Sequence, residues 1–241
     1  MASFILSSGT NNMSHLQNIT LCLTIGKRPY ELRQTLESLL SKLQFPNIIA
    51  INDFGDEESN NVFHELCPHG KLIDLGYNLG HHKAIDYMYE RVETPYVLHC
   101  EDDWVFDSTP NLEGVINFLQ SDQKITMVCL RKISDMEFSE IQNSLIINRQ
   151  SSFIDTVEVH HIHDQWYGYS FNPHIASLDN WKKLKPFSQY KKERHISRSY
   201  RRLNCHLVYL QQGSCEHIGF NSVANPEPLT WLHKLKNKIS G

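Results

Sequence analysis

Three consecutive acids close an apolar run in residues 96–104, and this arrangement restricts the fold more than any other feature of the chain. Residues 96–100 are mostly apolar, as in a buried strand, and Glu101, Asp102 and Asp103 follow at once. Carboxylates lose their hydration when buried without partners, so these acids are expected where the strand leaves the core. Neighbouring carboxylates repel each other unless a divalent cation neutralises them, and Mg²⁺ or Mn²⁺ suits such oxygen ligands. The alternative is an acidic surface turn.

Apolar runs alternate with helical segments through the first hundred residues. Leucines recur at a helical spacing in residues 32–43, and Pro29 stands at the first helical turn, where its missing N–H costs nothing. Strands are predicted at residues 19–25, 48–52, 71–75 and 96–104. Such alternation favours an α/β fold with a mostly parallel central sheet and helices on both faces. Right-handed crossovers bring the carboxyl ends of parallel strands to one edge, so residues 24–28, Asp53 and residues 101–103 are expected to lie together.

The second half of the chain predicts shorter and less regular elements. Strands are expected at residues 125–130 and 206–211, two short pairing β segments at residues 144–149 and 153–159, and helices at residues 177–184 and 190–203. Between them lies an aromatic and polar segment that contains His160, His161 and His163. These histidines resemble a metal cluster, but they lack further ligands at a fitting spacing, so a substrate-site or surface role is favoured.

Length and charge fit a single large α/β domain. The 241 residues carry a formal charge of −4, which gives no indication of nucleic-acid binding, and no run of about 18 apolar residues is present. We expect a flexible leader at residues 1–17, the domain at residues 18–225 and a basic tail helix at residues 226–241. The tail either lies on an anionic membrane surface or packs on the domain. The expected location is therefore cytoplasmic, with peripheral membrane contact as the further alternative.

Six short motifs follow one another in a recognisable order. They are T-x-x-x-R-P-x-x-L at residues 24–32, N-D-F-G-D at 52–56, N-L-G at 78–80, E-D-D at 101–103, G-Y-S-F-N-P at 168–173, and Glu193, Arg201 and H-I-G at 217–219. Together they resemble the GT-A fold glycosyltransferases, especially the family 2 nucleotide-sugar transferases, over about residues 19 to 220. The resemblance implies a nucleotide-sugar-binding half at residues 18–108 and an acceptor-binding half at residues 109–225.

The resemblance also implies a set of donor and metal contacts. Asp103 would ligate Mn²⁺ or Mg²⁺ directly, His217 would be a second ligand, and Glu101 would contact the metal through water or touch the ribose. Glu101 replaces the family's Asp, and its longer side chain changes the geometry. Asp53 would accept a hydrogen bond from the base, typically uracil. The expected nucleotide-sugar-binding residues are Thr24, Arg28, Asp53, Asn78, Gly80, Lys83, Glu101 and Asp102.

The resemblance further implies an inverting transfer of a sugar, typically from a UDP-sugar, to a hydroxyl of a glycan or glycolipid, as in polysaccharide biosynthesis. Glu193 would be the base that deprotonates this hydroxyl, with Asp164 as the reserve candidate. Trp166 and Tyr167 would contact the acceptor, because aromatic rings stack on sugars. Two alternatives stay open, a sugar-phosphate nucleotidyltransferase and an inactive glycan- or nucleotide-binding module. The single glycine in residues 24–28 counts against the nucleotidyltransferase, which relies on a glycine-rich phosphate loop.

Overall fold

The computed structural model describes residues 15–219, which contain eleven β-strands and seven α-helices. The strands are β1 (Ile19–Ile25), β2 (Asn47–Asn52), β3 (Lys71–Asp74), β4 (Tyr96–Glu101), β5 (Trp104–Phe106), β6 (Ile125–Cys129), β7 (Ile147–Arg149), β8 (Thr156–Glu158), β9 (His174–Ser177), β10 (His206–Leu210) and β11 (Cys215–His217). The helices are α1 (Pro29–Leu40), α2 (Glu57–Leu66), α3 (His81–Tyr89), α4 (Leu112–Ser121), α5 (Glu140–Ser144), α6 (Leu178–Leu184) and α7 (Glu193–Arg202).

Nine strands form the central sheet in the order β3-β2-β1-β4-β9-β6-β10-β8-β7. The pairs β1–β2, β2–β3, β1–β4 and β6–β10 are parallel, whereas β9 runs antiparallel to both of its neighbours, and β8 likewise. All strands of this sheet except β8 and β9 therefore point in one direction. The predicted α/β fold with a mostly parallel sheet is confirmed.

Helices cover both faces of the sheet because the strand residues alternate between two apolar clusters. In β1, Leu21 and Leu23 face the cluster that contains the apolar stripe of α1, while Cys22 faces the cluster that contains α3. The α1 stripe is the leucine repeat of the sequence, and Leu32 and Leu36 are fully buried. Sheet strands with two buried faces are expected for this architecture.

The carboxyl ends of β1, β2 and β4 meet at one edge of the sheet. Thr24 in β1 is the register partner of Ile51 in β2 and of Glu101 in β4, so the loops after these strands lie side by side. Because β9 is antiparallel, its amino end reaches the same edge. The four elements together therefore form the walls of a cleft.

Three short strands were not predicted. These are β9, β5 and β11. β5 directly follows the acids at residues 101–103 and pairs with β11 in a separate two-stranded sheet. The predicted tail helix at residues 226–241 and residues 1–14 of the predicted leader lie outside the described residues. Leu16, also in that predicted leader, is buried against the domain. Within residues 15–219 the helices are all too short or too polar to cross a membrane.

Candidate active site

The main cavity of the cleft has a volume of about 390 Å³ and lies at the carboxyl edge of the parallel strands. Its walls combine the ends of β1, β2 and β4, the turn before α3, and the residues around the start of β9 and α7. The lining residues are Thr24, Ile25, Gly26, Arg28, Asp53, Phe54, Asn78, Gly80, His81, His82, Glu101, Asp102, Phe171, Asn172 and Glu193. The structure thus brings together segments of the first half that are distant in sequence, as predicted. Crevices at this edge of open α/β sheets commonly bind ligands.

Asp102 is held rigidly at the floor of this cavity. Its Oδ2 accepts a hydrogen bond from the Gly26 N–H at 3.0 Å, and its Oδ1 accepts one from Arg28 Nη1 at 3.2 Å. Gly26 is required here, because a Cβ at this position would come within 2.5 Å of the Phe54 ring. Burial, followed by the charge of Asp103, raises the pKa of Asp102 to about 7, although Arg28 opposes this shift. Asp102 is therefore a structural link between the first loop and the acidic strand end.

Asp103 lies next to the chain segment that follows β11. Its Oδ2 is 3.1 Å from His217 Nε2 and also pairs with Arg28, and its carbonyl oxygen accepts a hydrogen bond from the Ile218 N–H at 2.9 Å. Burial acts to raise the pKa of Asp103, but His217 and Arg28 outweigh it and lower the pKa below its ordinary value. A Cβ on Gly219 would come within 2.2 Å of Asp103 Oδ2, so the H-I-G motif supplies both a neighbour and the space for this carboxylate.

The surroundings of Asp103 fit a divalent cation. Asp103 Oδ1 is buried and has no hydrogen-bond partner, and buried carboxylate oxygens are normally satisfied. A carboxylate beside an imidazole is a donor set that suits Mn²⁺. The Glu101 carboxylate is 3.8 Å from His81 Nε2, and it does not complete a group of three close ligand atoms with Asp103 and His217. Asp103 and His217 are therefore the residues that would hold the metal, with Glu101 further from it.

Asp53 organises the turn that precedes α3. Its Oδ1 accepts hydrogen bonds from the backbone N–H groups of Leu79 at 2.7 Å and Gly80 at 3.0 Å. Its Oδ2 has one long contact, 3.5 Å to the Asn78 side chain, and burial raises the pKa of this carboxyl. The N-L-G motif is thus bound to the end of β2, and Oδ2 is the oxygen with the fewer hydrogen bonds from the protein.

Replacing Asp53 by alanine is expected to lower the free energy of unfolding by about 2 kcal/mol, because two backbone N–H groups lose a charged acceptor. The affinity for a ligand of this cavity should fall as well, since the turn forms one of its walls. Asp53→Asn keeps Oδ1 as an acceptor and should lose clearly less stability. Urea unfolding of both variants measures the difference, and equal losses in the two would contradict this account of Asp53.

A second cavity of about 300 Å³ adjoins the first, and four of its nine lining residues are aromatic. Its walls are Met136, Trp166, Tyr167, Tyr169, Ser170, Asn172, Glu193, Leu207 and Tyr209. Asn172 and Glu193 line both cavities, so Glu193 stands at their junction. Burial raises the pKa of Glu193 to about 7, and hydrogen bonds with Ser170 and the Phe171 backbone partly oppose that shift. A carboxyl group with such a pKa can exchange a proton near neutral pH.

Four of the predicted site residues line neither cavity. Asp103 and His217 are two of them, although Asp103 pairs with Arg28, which lines the first cavity. Asp164 is exposed and Lys83 is exposed on α3, and neither lines the first or the second cavity. Conversely, Phe54, Phe171 and Asn172 line the first cavity and were not expected there. Phe171 and Asn172 lie just before β9, and the amino end of β9 reaches the cleft because this strand runs antiparallel to β4.

This arrangement, with acids and a histidine at the carboxyl edge of a parallel sheet beside an aromatic cavity, defines the GT-A class of glycosyltransferase folds. The sequence model of glycosyl transferase family 2 matches residues 24–178, which is more than half of the 241 residues. The chain therefore belongs to glycosyltransferase family 2. A comparison with curated protein sequences gives no match.

Three solved structures have a similar fold and are distant in sequence. The mannosyltransferase PcManGT from Pyrobaculum calidifontis, in complex with GDP-Man and Mn²⁺, superposes with a TM-score of 0.62 at 9% identity, over 83% of this chain and 56% of that one. GalNAc-T7 with UDP, GalNAc and Mn²⁺ superposes with a TM-score of 0.61 at 12% identity, over 88% of this chain and 45% of that one. TarS of S. aureus superposes with a TM-score of 0.59 at 12% identity, over 84% of this chain and 37% of that one. The chain thus spans about half the length of these structures or less.

Proposed function

We propose that this chain transfers one sugar, with inversion, from a nucleotide-sugar to a hydroxyl group of a glycan or glycolipid, with the help of Mn²⁺ or Mg²⁺. Membership of glycosyltransferase family 2 supports the reaction class. Two structures of similar fold were solved with nucleotides and Mn²⁺, one with GDP-Man and one with UDP and GalNAc, which supports a nucleotide-sugar donor and a metal. We favour UDP as the nucleoside diphosphate of the donor, and GDP is the main alternative.

The position of Glu193 between two cavities carries the proposal. The first cavity, with its acids and backbone turns, suits a nucleotide-sugar, and the second, with its aromatic walls, suits a sugar acceptor. Displacement with inversion needs the donor on one side of the reacting carbon, and the acceptor hydroxyl and a base on the other. Glu193 is the carboxyl group in the described part of the chain that lines both spaces.

The reaction then follows from the roles of these residues. The acceptor hydroxyl oxygen forms a bond to the anomeric carbon, its proton passes to the Glu193 carboxylate, and the bond between that carbon and the diphosphate oxygen breaks. A divalent cation, held by Asp103 and His217, would stabilise the negative charge of the departing diphosphate. Arg28 lies beside the same acids and lines the donor cavity, so its guanidinium can contact the phosphates.

Trp166 and Tyr167 are the acceptor-side residues of the proposal. Both line the second cavity, and the exposed fraction of Trp166 is 37%, which leaves its ring accessible to a sugar. Tyr167 adopts a left-handed backbone conformation with φ of 63°, and its carbonyl oxygen accepts a hydrogen bond from the Leu207 N–H at 2.9 Å. A strained backbone held in place by a hydrogen bond is often found at ligand sites.

Calorimetric titration with UDP, GDP and dTDP, each with and without Mn²⁺, tests the proposal directly. One nucleotide should bind at least about tenfold more tightly than the others and only in the presence of the metal, because the diphosphate and Asp103 share the cation. Nucleotide binding with the same affinity in the presence and absence of Mn²⁺ would contradict the metal-dependent mechanism. No binding of any nucleotide would favour the alternative of an inactive glycan-binding module. The nucleotidyltransferase alternative is disfavoured by the family membership.

A further inference from the structure

Three potential metal ligands meet at a place that neither cavity includes. Side-chain atoms of Glu158, His160 and His206, one from each residue, lie within 4.8 Å of one another. Glu158 ends β8, His160 follows it by two residues, and His206 begins β10. Among residues 15–219 this is the one group of three histidine, cysteine or acidic side chains that is close enough to hold a metal ion.

The strand register explains why these three side chains lie close together. β8 and β10 pair antiparallel, with Tyr209 opposite Val157 and Leu210 opposite Thr156. Continuing this register back along β10 places His206 opposite His160, and their ring centroids are 3.8 Å apart. His160 lies in the turn that directly follows β8, two residues after Glu158. The pairing of β8 with β10 thus brings His206 beside this turn and beside Glu158.

Both histidines keep a ring nitrogen that no protein group satisfies. His160 Nδ1 and His206 Nε2 are buried and have no hydrogen-bond partner, although buried polar atoms are normally paired. Glu158, only 7% exposed, adds a negative charge and pairs with Arg149.

We propose that Glu158, His160 and His206 form a zinc site, distinct from the metal position beside Asp103. Two imidazoles and one carboxylate are a common zinc donor set, with a fourth position open to water. Tetrahedral Zn²⁺ needs ligand atoms about 3.3 Å apart, which small side-chain rotations can reach from the observed spacing. The ion pair with Arg149 then orients the ligating carboxylate, as partners of metal ligands commonly do.

A metal at this position would fix one wall of the second cavity. His160 opens the segment that leads to Trp166 and Tyr167, and His206 immediately precedes Leu207, whose N–H donates to the Tyr167 carbonyl oxygen. Zinc would therefore tie both ends of the segment from His160 to Tyr167 to the start of β10. This role is structural, and it does not depend on the proposed sugar transfer.

Metal analysis of the full-length protein tests the site. After exposure to zinc and removal of the excess, the wild type should retain one equivalent of Zn²⁺ that survives the replacement Asp103→Ala. His160→Asn and His206→Gln should each weaken zinc binding by at least ~100-fold, because loss of a ligand exceeds the effect of losing a supporting partner. Zinc should also raise the melting temperature of the wild type and leave that of the two variants unchanged.

His161→Gln is the matched control, since His161 is the exposed neighbour of His160 and contacts the Leu145 carbonyl oxygen instead. It should bind zinc as the wild type does. Circular dichroism without metal must show that the ligand variants are folded, which is expected because each removes a buried nitrogen that lacks a partner. A folded His160→Asn and His206→Gln that still bind zinc normally, or a wild type that retains none, would overturn the site.

Discussion

Replacing Asp103 by alanine is expected to reduce turnover by about 10³-fold. Asp103 is buried, its Oδ1 has no hydrogen-bond partner, and His217 adjoins its other oxygen, so it is the carboxylate best placed to hold a cation. Without the cation the charge of the departing diphosphate is poorly stabilised, and a loss of about 4 kcal/mol corresponds to this factor. Turnover is measured with the donor that the calorimetric titration identifies.

The controls for Asp103→Ala separate metal loss from misfolding. Asp103→Asn keeps the shape of the side chain and should show nearly the same loss, because the negative charge is gone. Asp107→Ala removes an exposed acid four residues further along the chain, which pairs with Lys132, and should retain wild-type turnover. Wild-type turnover in Asp103→Ala, or an equal loss in Asp107→Ala, would refute the assignment of Asp103 as a metal ligand.

The parallel half of the fold was predictable because its strands are long and apolar. β1 and β4 are buried along most of their length, so each reads in the sequence as a mostly apolar run. Their common direction follows from the helices between them. This is enough to predict that Thr24, Asp53 and Glu101 lie near one another, and the structure confirms it.

The antiparallel strands could not be predicted in the same way. β9 has four residues, His174 to Ser177, and lies between β4 and β6, which are far from it in sequence. Both of its end residues are polar, so the strand gives no apolar run in the sequence. Its position is decided by long-range pairing, which local sequence patterns do not record. The same holds for β5 and β11, which have three residues each.

The candidate site shows the same division. The sequence predicts correctly that residues at the ends of the parallel strands are neighbours, whereas the position of Phe171 and Asn172 in the first cavity depends on β9 and is not predicted. The histidine pattern at residues 160–163 was interpreted as an acceptor or surface feature because no further ligand stood at a fitting spacing. His206 lies more than forty residues away, and only the pairing of β8 and β10 brings it to His160.

Replacing Glu193 by glutamine is expected to lower kcat by about 10²–10⁴-fold, with little change in the affinity for the donor nucleotide. Glutamine has nearly the same shape and cannot accept the proton of the acceptor hydroxyl. Since burial raises the pKa of Glu193 to about 7, the wild-type kcat/KM should rise with pH until the carboxylate is ionised and then level off. Glu193→Gln should lose this rise, which pH profiles of both proteins measure.

The pH profile distinguishes Glu193 from the other carboxyl group with a similar pKa. Burial also raises the pKa of Asp102 to about 7, so a pH dependence that persists in Glu193→Gln would belong to Asp102 and would exclude Glu193 as the base. Asp164→Asn is the matched control, because Asp164 is exposed outside both cavities, and it should retain wild-type kcat.

Stability provides the independent check on Glu193→Gln. A carboxyl group whose pKa is higher in the folded state than in the unfolded state stabilises the fold in its protonated form. This contribution to the free energy of unfolding is lost as the pH rises through about 7. The neutral glutamine avoids this loss, and at pH 8 the variant should be at least as stable as the wild type. Below the ordinary pKa of glutamate the two proteins should differ little. An inactive variant that is also less stable at pH 8 would indicate a structural role for Glu193 in place of a catalytic one.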